Sequence, residues 1–186
     1  MIWIILGVVL VLVIIIVVFY FVSVYNSLIR LRNNINKAWS NIDVILKQRH
    51  DELPKLVETC KGYMRHEREL LESITELRTS WANAKTMGER AKISDAISGA
   101  LKTLFAVAEN YPQLKANENF LQLQARISGL ENELADRREF YNDSVNNYNI
   151  RIQSIPDKFI ANMLKFQPME LFKVTEEERK DVEIKF

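Results

Sequence analysis

The sequence predicts an all-α protein in which an N-terminal transmembrane helix continues into an antiparallel four-helix bundle, with a short irregular C-terminal tail. Residues 2–24 carry no charged side chain, which is typical of a membrane-spanning helix. Beyond them, apolar residues recur at alternating steps of three and four, as in helical bundles. Five Gly and four Pro among 186 residues leave few positions at which a helix would break. We therefore expect an anchor at residues 1–24, a bundle at 25–156, and a short apolar segment with a charged tail at 157–186.

The first element is a membrane anchor from Ile2 to Val24. An α-helix of this length would extend roughly 34 Å, slightly more than the hydrocarbon core of a bilayer. Trp3 near one end and aromatic residues near the other suit the two membrane interfaces. A cleaved signal peptide would need a positive region before the run and a small-residue cleavage site after it, whereas a buried soluble helix would need an apolar remainder to cover it. The sequence lacks these features and favours an uncleaved anchor.

The basic residues after the anchor predict its orientation. Arg30, Arg32 and Lys37 follow the apolar run, and no Lys or Arg precedes it. Because Lys and Arg are retained on the cytoplasmic side of a span, we expect the N-terminus outside and the rest of the chain in the cytoplasm. The single cysteine, Cys60, excludes an internal disulfide and fits a reducing compartment.

The first two bundle helices are predicted on either side of Pro54. The first begins near Leu28 and continues the anchor, because no Pro or Gly separates the two. We expect the polar run at 47–52 to be a turn, and Pro54 to end or kink the first helix and to occupy the first turn of the second. The apolar stripe of the second helix is interrupted only by Glu67. Residues 83–88 are predicted to connect it to the third helix.

The last two bundle helices are separated by a Tyr-Pro stop. The third helix is predicted at residues 89–110, and Asn117 is a favourable N-cap for the fourth, which Pro156 ends. The fourth helix is longer than the cytoplasmic part of the first. If both helices start at the same level, the end of the fourth helix would reach the bilayer surface. The apolar piece Phe159–Phe166 would therefore lie at the lipid headgroups. We expect residues 169–186 to be irregular or to form a short extended segment.

Several stretches of the sequence resemble the LemA family of bacterial membrane proteins. The most specific is the run from Lys115 to Phe120, together with the spaced Tyr-Asn pairs at 141–142 and 148–149. The other stretches are residues 25–28, 38–44, 53–59, 61–63, 66–67, 111–114, 123–124, 138–140 and 160–161. The resemblance covers nearly the whole chain, and the departures at residues 45, 55, 60 and 155 do not disturb the architecture. It implies an N-terminal anchor, a cytoplasmic helical bundle and a bacterial inner membrane, but it implies no reaction.

The sequence predicts no catalytic, cofactor-binding or metal-binding residues. His50 and His66 are the only histidines, and neither has the Glu-x-x-His spacing of di-iron bundles. Cys60 lies on an apolar stripe, which favours a small buried hydrophobe over a nucleophile that would need a His base. No phosphate loop or Gly-x-Ser-x-Gly motif occurs. With 25 Lys and Arg against 24 Asp and Glu, no overall charge would recruit nucleic acid.

Polar residues on the inward stripes are the most informative candidates for a site. Such residues specify the register of packed helices or line a groove for a partner. Four of them are predicted to form a buried polar network: Glu67, Arg137, Tyr141 and Tyr148. Arg49 is expected to reach solvent from the edge of its stripe, and Glu131 to lie on a solvated helix face.

These features predict a membrane-anchored, non-enzymatic scaffold or adaptor. Its anchor would contact the lipid bilayer, and its bundle would contact other membrane or cytoplasmic proteins or a second copy of the chain. Gly7 has no second small residue four positions away, so a homo-oligomer would form through the bundle or tail. The alternative is a small-molecule or metal-responsive sensor or enzyme that uses a polar pocket between helices, with His66, Glu67 and Arg137 as candidates.

Overall fold

The computed structural model describes residues 1–172, and within that range every regular element is an α-helix. The helices are α1 (Ile2–Lys61), α2 (Arg68–Asn83), α3 (Met87–Ala108), α4 (Pro112–Lys115), α5 (Glu118–Gln153) and α6 (Asp157–Met163). The predicted all-α class and the long apolar N-terminal helix are therefore confirmed. Most of the predicted charged tail, including the alternating residues Val182 to Phe186, lies outside the described residues.

The chain divides into two compact units, to each of which α1 and α5 contribute. The first, which we call the anchor unit, consists of Met1–Trp39 and Phe140–Leu171. The second, which we call the central unit, consists of Ser40–Glu139 together with Phe172 among the described residues. Each unit has buried apolar residues of its own, and each is described separately below.

In the anchor unit, the apolar part of α1 is uncovered by protein. All side chains from Ile2 to Tyr20 are exposed, and this part of α1 is long and apolar enough to cross a membrane. Burial begins at Val24 and Leu28, which are 1% and 0% exposed. The edge-to-face contact of Trp39 with Tyr141, with ring centroids 5.8 Å apart, belongs to the same packed region. An apolar helix without protein cover is stable only where lipid replaces water.

The central unit has a core to which α1, α2, α3, α4 and α5 contribute. α1 supplies the buried seam, α2 and α3 supply one stripe each, and α5 supplies another, as amphipathic helices do when they pack on a common core. The most deeply buried apolar residues include Ile42, Leu46, Leu53, Leu56, Met64, Ile74, Ile97, Leu101, Leu104, Leu114, Phe120, Ile127 and Leu134.

Two helices in this unit, α3 and α5, begin at side-chain caps. Thr86 and Glu89 form a capping box at the start of α3, in which each side chain accepts a hydrogen bond from the other residue's backbone N–H. At the start of α5, Asn117 Oδ1 accepts a hydrogen bond of 3.0 Å from the backbone N–H of Phe120. The two polar caps therefore satisfy backbone donors that the first turn of each helix leaves without a partner.

The turn predicted at residues 47–52 is wrong, because α1 continues through Pro54 to Lys61. Pro54 lacks the N–H that would bond to the carbonyl of His50, but the proline ring is exposed, so water can solvate that carbonyl. The residues around it, Leu53 and Leu56, are both 0% exposed. Burial of this continuing seam outweighs the lost hydrogen bond, and the chain turns only after Lys61.

Since Pro54 lies inside a helix, replacing it should stabilise the protein. Pro54→Ala restores a backbone hydrogen bond and removes the clash with the preceding turn, so we expect the free energy of unfolding to rise by about 1–3 kcal/mol. Thermal unfolding of the full chain in detergent, followed by circular dichroism, measures this. Gln48→Ala, at an exposed position of the same helix, is the matched control and should shift stability by less than about 0.5 kcal/mol. A destabilised Pro54→Ala variant would contradict the continuous helix.

Candidate functional site

The main polar site of the central unit is built around Arg49 of α1. The side chain is 1% exposed, so the expectation that it would reach solvent is wrong. Its Nη1 donates to Ser98 Oγ at 2.8 Å and pairs with Glu131, and its Nη2 donates to Ser94 Oγ at 2.8 Å. Ser98 Oγ also donates to Glu131 Oε2 at 2.6 Å. The network joins three helices, because Ser94 and Ser98 lie on α3 and Glu131 lies on α5.

Arg138, which lies on α5 like Glu131, extends this network. Its Nη2 donates to Ser94 Oγ at 2.8 Å, and the guanidinium lies 2.7 Å from Asp95 Oδ1. Its carbon Cζ lies 4.3 Å from the ring centroid of Phe172, which is itself buried. A cation over an aromatic face adds electrostatic attraction to the packing. The Phe172 ring is therefore held against the same polar cluster.

The electrostatics of Arg49 are balanced by its partners. Burial lowers the pKa of Arg49, and the neighbouring Glu131 carboxylate opposes that effect. Because burying an unpaired charge is costly, the position is viable only when Glu131 and the two serines compensate it. Glu131, expected on a solvated face, is a half-buried partner of Arg49 instead. We assign the cluster to fixing the register of α1, α3 and α5.

The structure does not bring Glu67 and Arg137 together. Glu67 precedes α2 and accepts a hydrogen bond of 3.2 Å from the Tyr111 hydroxyl. Arg137 is exposed and pairs with Glu133, one turn away on α5. The predicted buried network of these two residues is therefore wrong, because the 36-residue helix α5 turns the face of Arg137 to solvent and its neighbour Arg138 inward.

Tyr141 and Tyr148, in the anchor unit, hold the chain that follows α6. The Tyr148 hydroxyl donates to the backbone carbonyl of Gln167 at 3.0 Å, and the Tyr141 hydroxyl donates to that of Glu170 at 3.2 Å. The Asn149 side chain binds Met169, which lies between Gln167 and Glu170. Its amide donates to the Met169 carbonyl and accepts from the Met169 N–H, both at 2.9 Å. Burial raises the pKa of both tyrosines, so their hydroxyls stay protonated as donors. The seven-residue repeat thus binds an extended segment through backbone groups.

The thiol and the imidazoles do not form a reactive arrangement in the described residues. Cys60 is fully buried, and burial raises the pKa of its thiol to about 11. The His50 ring lies 4.8 Å from the Trp81 ring and contacts Asp51, whereas His66 is exposed. No group of three His, Cys, Asp or Glu side chains suited to a metal ion occurs within residues 1–172.

An open groove of about 600 Å³ lies where α1 ends and α2 begins. Its floor includes Met64 and Leu71, which are buried, and its rim carries charges of both signs. Arg68 and Glu72 on the rim are paired at 2.6 Å, at exposed positions. The lining residues are Lys61, Met64, Arg65, Arg68, Leu71, Glu72, Thr75 and Glu76. An apolar floor with a charged rim is the usual composition of a surface that binds another protein.

The uncovered apolar part of α1 and the helices that follow it indicate a membrane protein whose described residues form an all-helical fold. The chain belongs to the LemA family, because the model of that family matches residues 38–186. It is 34% identical over 171 residues to Protein LemA of Metamycoplasma hominis, an alignment that covers 89% of this chain and 77% of the relative. It is also 23% identical over 174 residues to Magnetosome protein MamQ 2 of Paramagnetospirillum magneticum, which covers 80% of this chain and 64% of that protein.

Loss of the Arg49 guanidinium should destabilise the protein strongly. Arg49→Ala removes the ion-pair partner of the half-buried Glu131 carboxylate, so we expect the free energy of unfolding to fall by about 3–5 kcal/mol. Denaturant unfolding of the full chain in detergent measures it. The double variant Arg49→Met with Glu131→Gln removes both charges and should recover part of the loss. Arg137→Ala, which breaks an exposed pair, should cost less than about 1 kcal/mol, and equal losses for Arg49→Ala and Arg137→Ala would contradict the assignment.

The buried thiol should make stability depend on pH in the alkaline range. The pKa of Cys60 is raised in the folded state, so its contribution is present below the ordinary thiol pKa and is lost as the pH rises through about 9 toward 11. We expect the stability of the native chain, relative to Cys60→Ala, to fall by about 2 kcal/mol across that range. Parallel unfolding curves of both proteins, which cancel the other titrations, provide the measurement. A constant difference would show that the thiol ionises freely in the folded protein.

Proposed function

We propose that this protein is a membrane-anchored, non-enzymatic scaffold or adaptor at the cytoplasmic face of a bacterial inner membrane. The observation that carries the proposal is that α1 contains both an uncovered apolar span and a buried amphipathic stretch in one continuous helix. Such a helix couples a folded helical body to the bilayer without a flexible linker. We take that body to be an antiparallel four-helix bundle of the kind predicted from the sequence.

Charge supports the cytoplasmic orientation of this body. Arg30, Arg32 and Lys37 follow the apolar part of α1 and are exposed. Basic residues that flank a span are retained in the cytoplasm, so the N-terminus would lie outside. We place the protein in the bacterial inner membrane because the resemblance to the LemA family led us to expect that location.

The polar residues of the described chain support a structural rather than a catalytic role. Arg49, Ser94, Ser98 and Glu131 bond to one another across helices, and the buried thiol of Cys60 stays protonated at neutral pH. Binding would therefore take place on the surface, and the groove at the start of α2 is the best-shaped candidate there. A single anchor also confines copies of the chain to two dimensions, which raises their effective concentration and favours self-assembly.

Photo-crosslinking from the groove tests the adaptor role. We expect a photoreactive amino acid at Arg65, on the rim of the groove, to capture a recurrent protein or a second copy of the chain in intact bacteria. The same amino acid at Lys102, an exposed position of α3 outside the groove, is the matched control. Adducts with one partner from Arg65 and none from Lys102 would support the proposal. Equal, diffuse labelling from both positions would contradict it.

A cysteine variant at the same position reports on which side of the membrane the groove lies. An impermeant thiol reagent should label an Arg65→Cys variant only after the inner membrane is opened, because we place that residue in the cytoplasm. Labelling in cells whose inner membrane is intact would reverse the proposed orientation.

A stoichiometric metal ion in the purified protein, or strong thermal stabilisation by one metabolite, would favour the sensor or enzyme instead.

A further inference from the structure

A polar contact joins α6 to the membrane-spanning part of α1, within the anchor unit. The hydroxyl of Tyr20, a residue of the span Ile2–Val24, donates to Oδ1 of Asp157, the first residue of α6. Asp157 is only 6% exposed and also pairs with Arg151. Tyrosines near the end of a span lie at the headgroup level, where the ring meets lipid and the hydroxyl meets polar groups. The bond from Tyr20 therefore brings the start of α6 to the same level.

Apolar side chains on and beside α6 are exposed. Phe159 and Met163 are one helical turn apart, so they share a face of α6, and they are 68% and 63% exposed. Ile155, just before the helix, is 75% exposed. The opposite face is packed against protein, since Ile160 and Ala161 are buried. The exposed row thus has no protein cover and starts where the uncovered surface of α1 ends.

The charges around this row are basic. Lys158 lies between the exposed apolar positions, Lys165 follows α6, and both are exposed. Asp157 does not cancel them, because its carboxylate is already engaged by Tyr20 and Arg151. Lysines beside exposed aromatic and aliphatic side chains are the composition of segments that bind anionic membrane surfaces.

We propose that Ile155, Phe159 and Met163 form a lipid-binding row that inserts at the boundary of headgroups and acyl chains, with Lys158 and Lys165 on anionic phospholipid headgroups. The bilayer is favoured over a protein partner because the row is continuous with the span through Tyr20 and carries the complementary charge. The inference rests on the proposed membrane span of α1 and is independent of the adaptor role. It gives the anchor unit a second membrane contact, which would fix its tilt relative to the bilayer.

Lipid quenching of a site-specific fluorophore tests this proposal on the full chain in vesicles. The fluorophore is attached at Phe159→Cys, and the native chain controls for labelling of the buried Cys60. The vesicles contain phosphatidylcholine that carries a nitroxide on its acyl chain, with or without phosphatidylglycerol. Val13→Cys reports the span, and Leu121→Cys, an exposed apolar position of the central unit, is the matched control.

We expect several-fold stronger quenching at Phe159→Cys than at Leu121→Cys, and a further increase with phosphatidylglycerol. The double substitution Lys158→Gln with Lys165→Gln should abolish that increase. Quenching at Phe159→Cys equal to that at Leu121→Cys, with Val13→Cys strongly quenched, overturns the lipid-binding row and leaves the span intact. An unquenched Val13→Cys overturns the span and the row together. The label at Phe159→Cys could instead become shielded from water as the number of protein copies per vesicle rises, without being quenched by lipid. That result assigns the row to a second copy of the chain and also overturns the proposal.

Discussion

The structure depends on a single helix, α1, of which one part is suited to lipid and the other part packs against protein. The part of α1 from Ile2 to Tyr20 exposes only uncharged side chains, whereas from Val24 onward one face of the helix is buried by protein. An α-helix can make this change without a break, since its backbone hydrogen bonds are internal in both environments. The stripe from Val24 onward therefore has to supply most of the apolar surface that the folded body buries on α1. This requirement also explains why the helix continues through Pro54, where burial of the seam exceeds the cost of one missing hydrogen bond.

A uniform apolar stripe specifies the register of long helices only weakly. In the central unit, Arg49 specifies that register. Its guanidinium has donors for Ser94, Ser98 and Glu131 at once, and a shift of any one helix by a turn would leave a buried charge without partners. Such a network contributes little net stability when it is formed and a large penalty when it is broken. It therefore acts chiefly against alternative packings, which matters in a protein with few glycines and prolines to mark helix ends.

In the anchor unit, several polar side chains bind the backbone or one another. Tyr148, Asn149 and Tyr141 hold residues 167–170 through main-chain groups, and Tyr20 engages Asp157. These contacts hold the segment that follows α5 on the same unit as the membrane span. The anchor unit thereby carries two apolar surfaces that protein leaves uncovered, one on α1 and one on and beside α6. This arrangement is consistent with the scaffold or adaptor role that we propose.

The sequence by itself determined the helical class and the membrane span, because both depend on local composition and on the period of apolar residues. It also indicated the cap at Asn117 and the connector near residues 83–88, which depend on side chains adjacent in the chain. Only the tertiary structure decided whether Pro54 ends the helix and whether Arg49 and Arg137 are buried. Pro54 has a strong local preference that distant burial overrides, and Arg49 is acceptable in a core only where partners from α3 and α5 meet it. Arg137 and Arg138 differ by one position, about 100° of rotation on a helix, so packing alone selects which is buried. The spacing of Ser94 with Ser98 and of Glu131 with Arg138 marked one face on each helix, but the meeting of those two faces is a property of the fold.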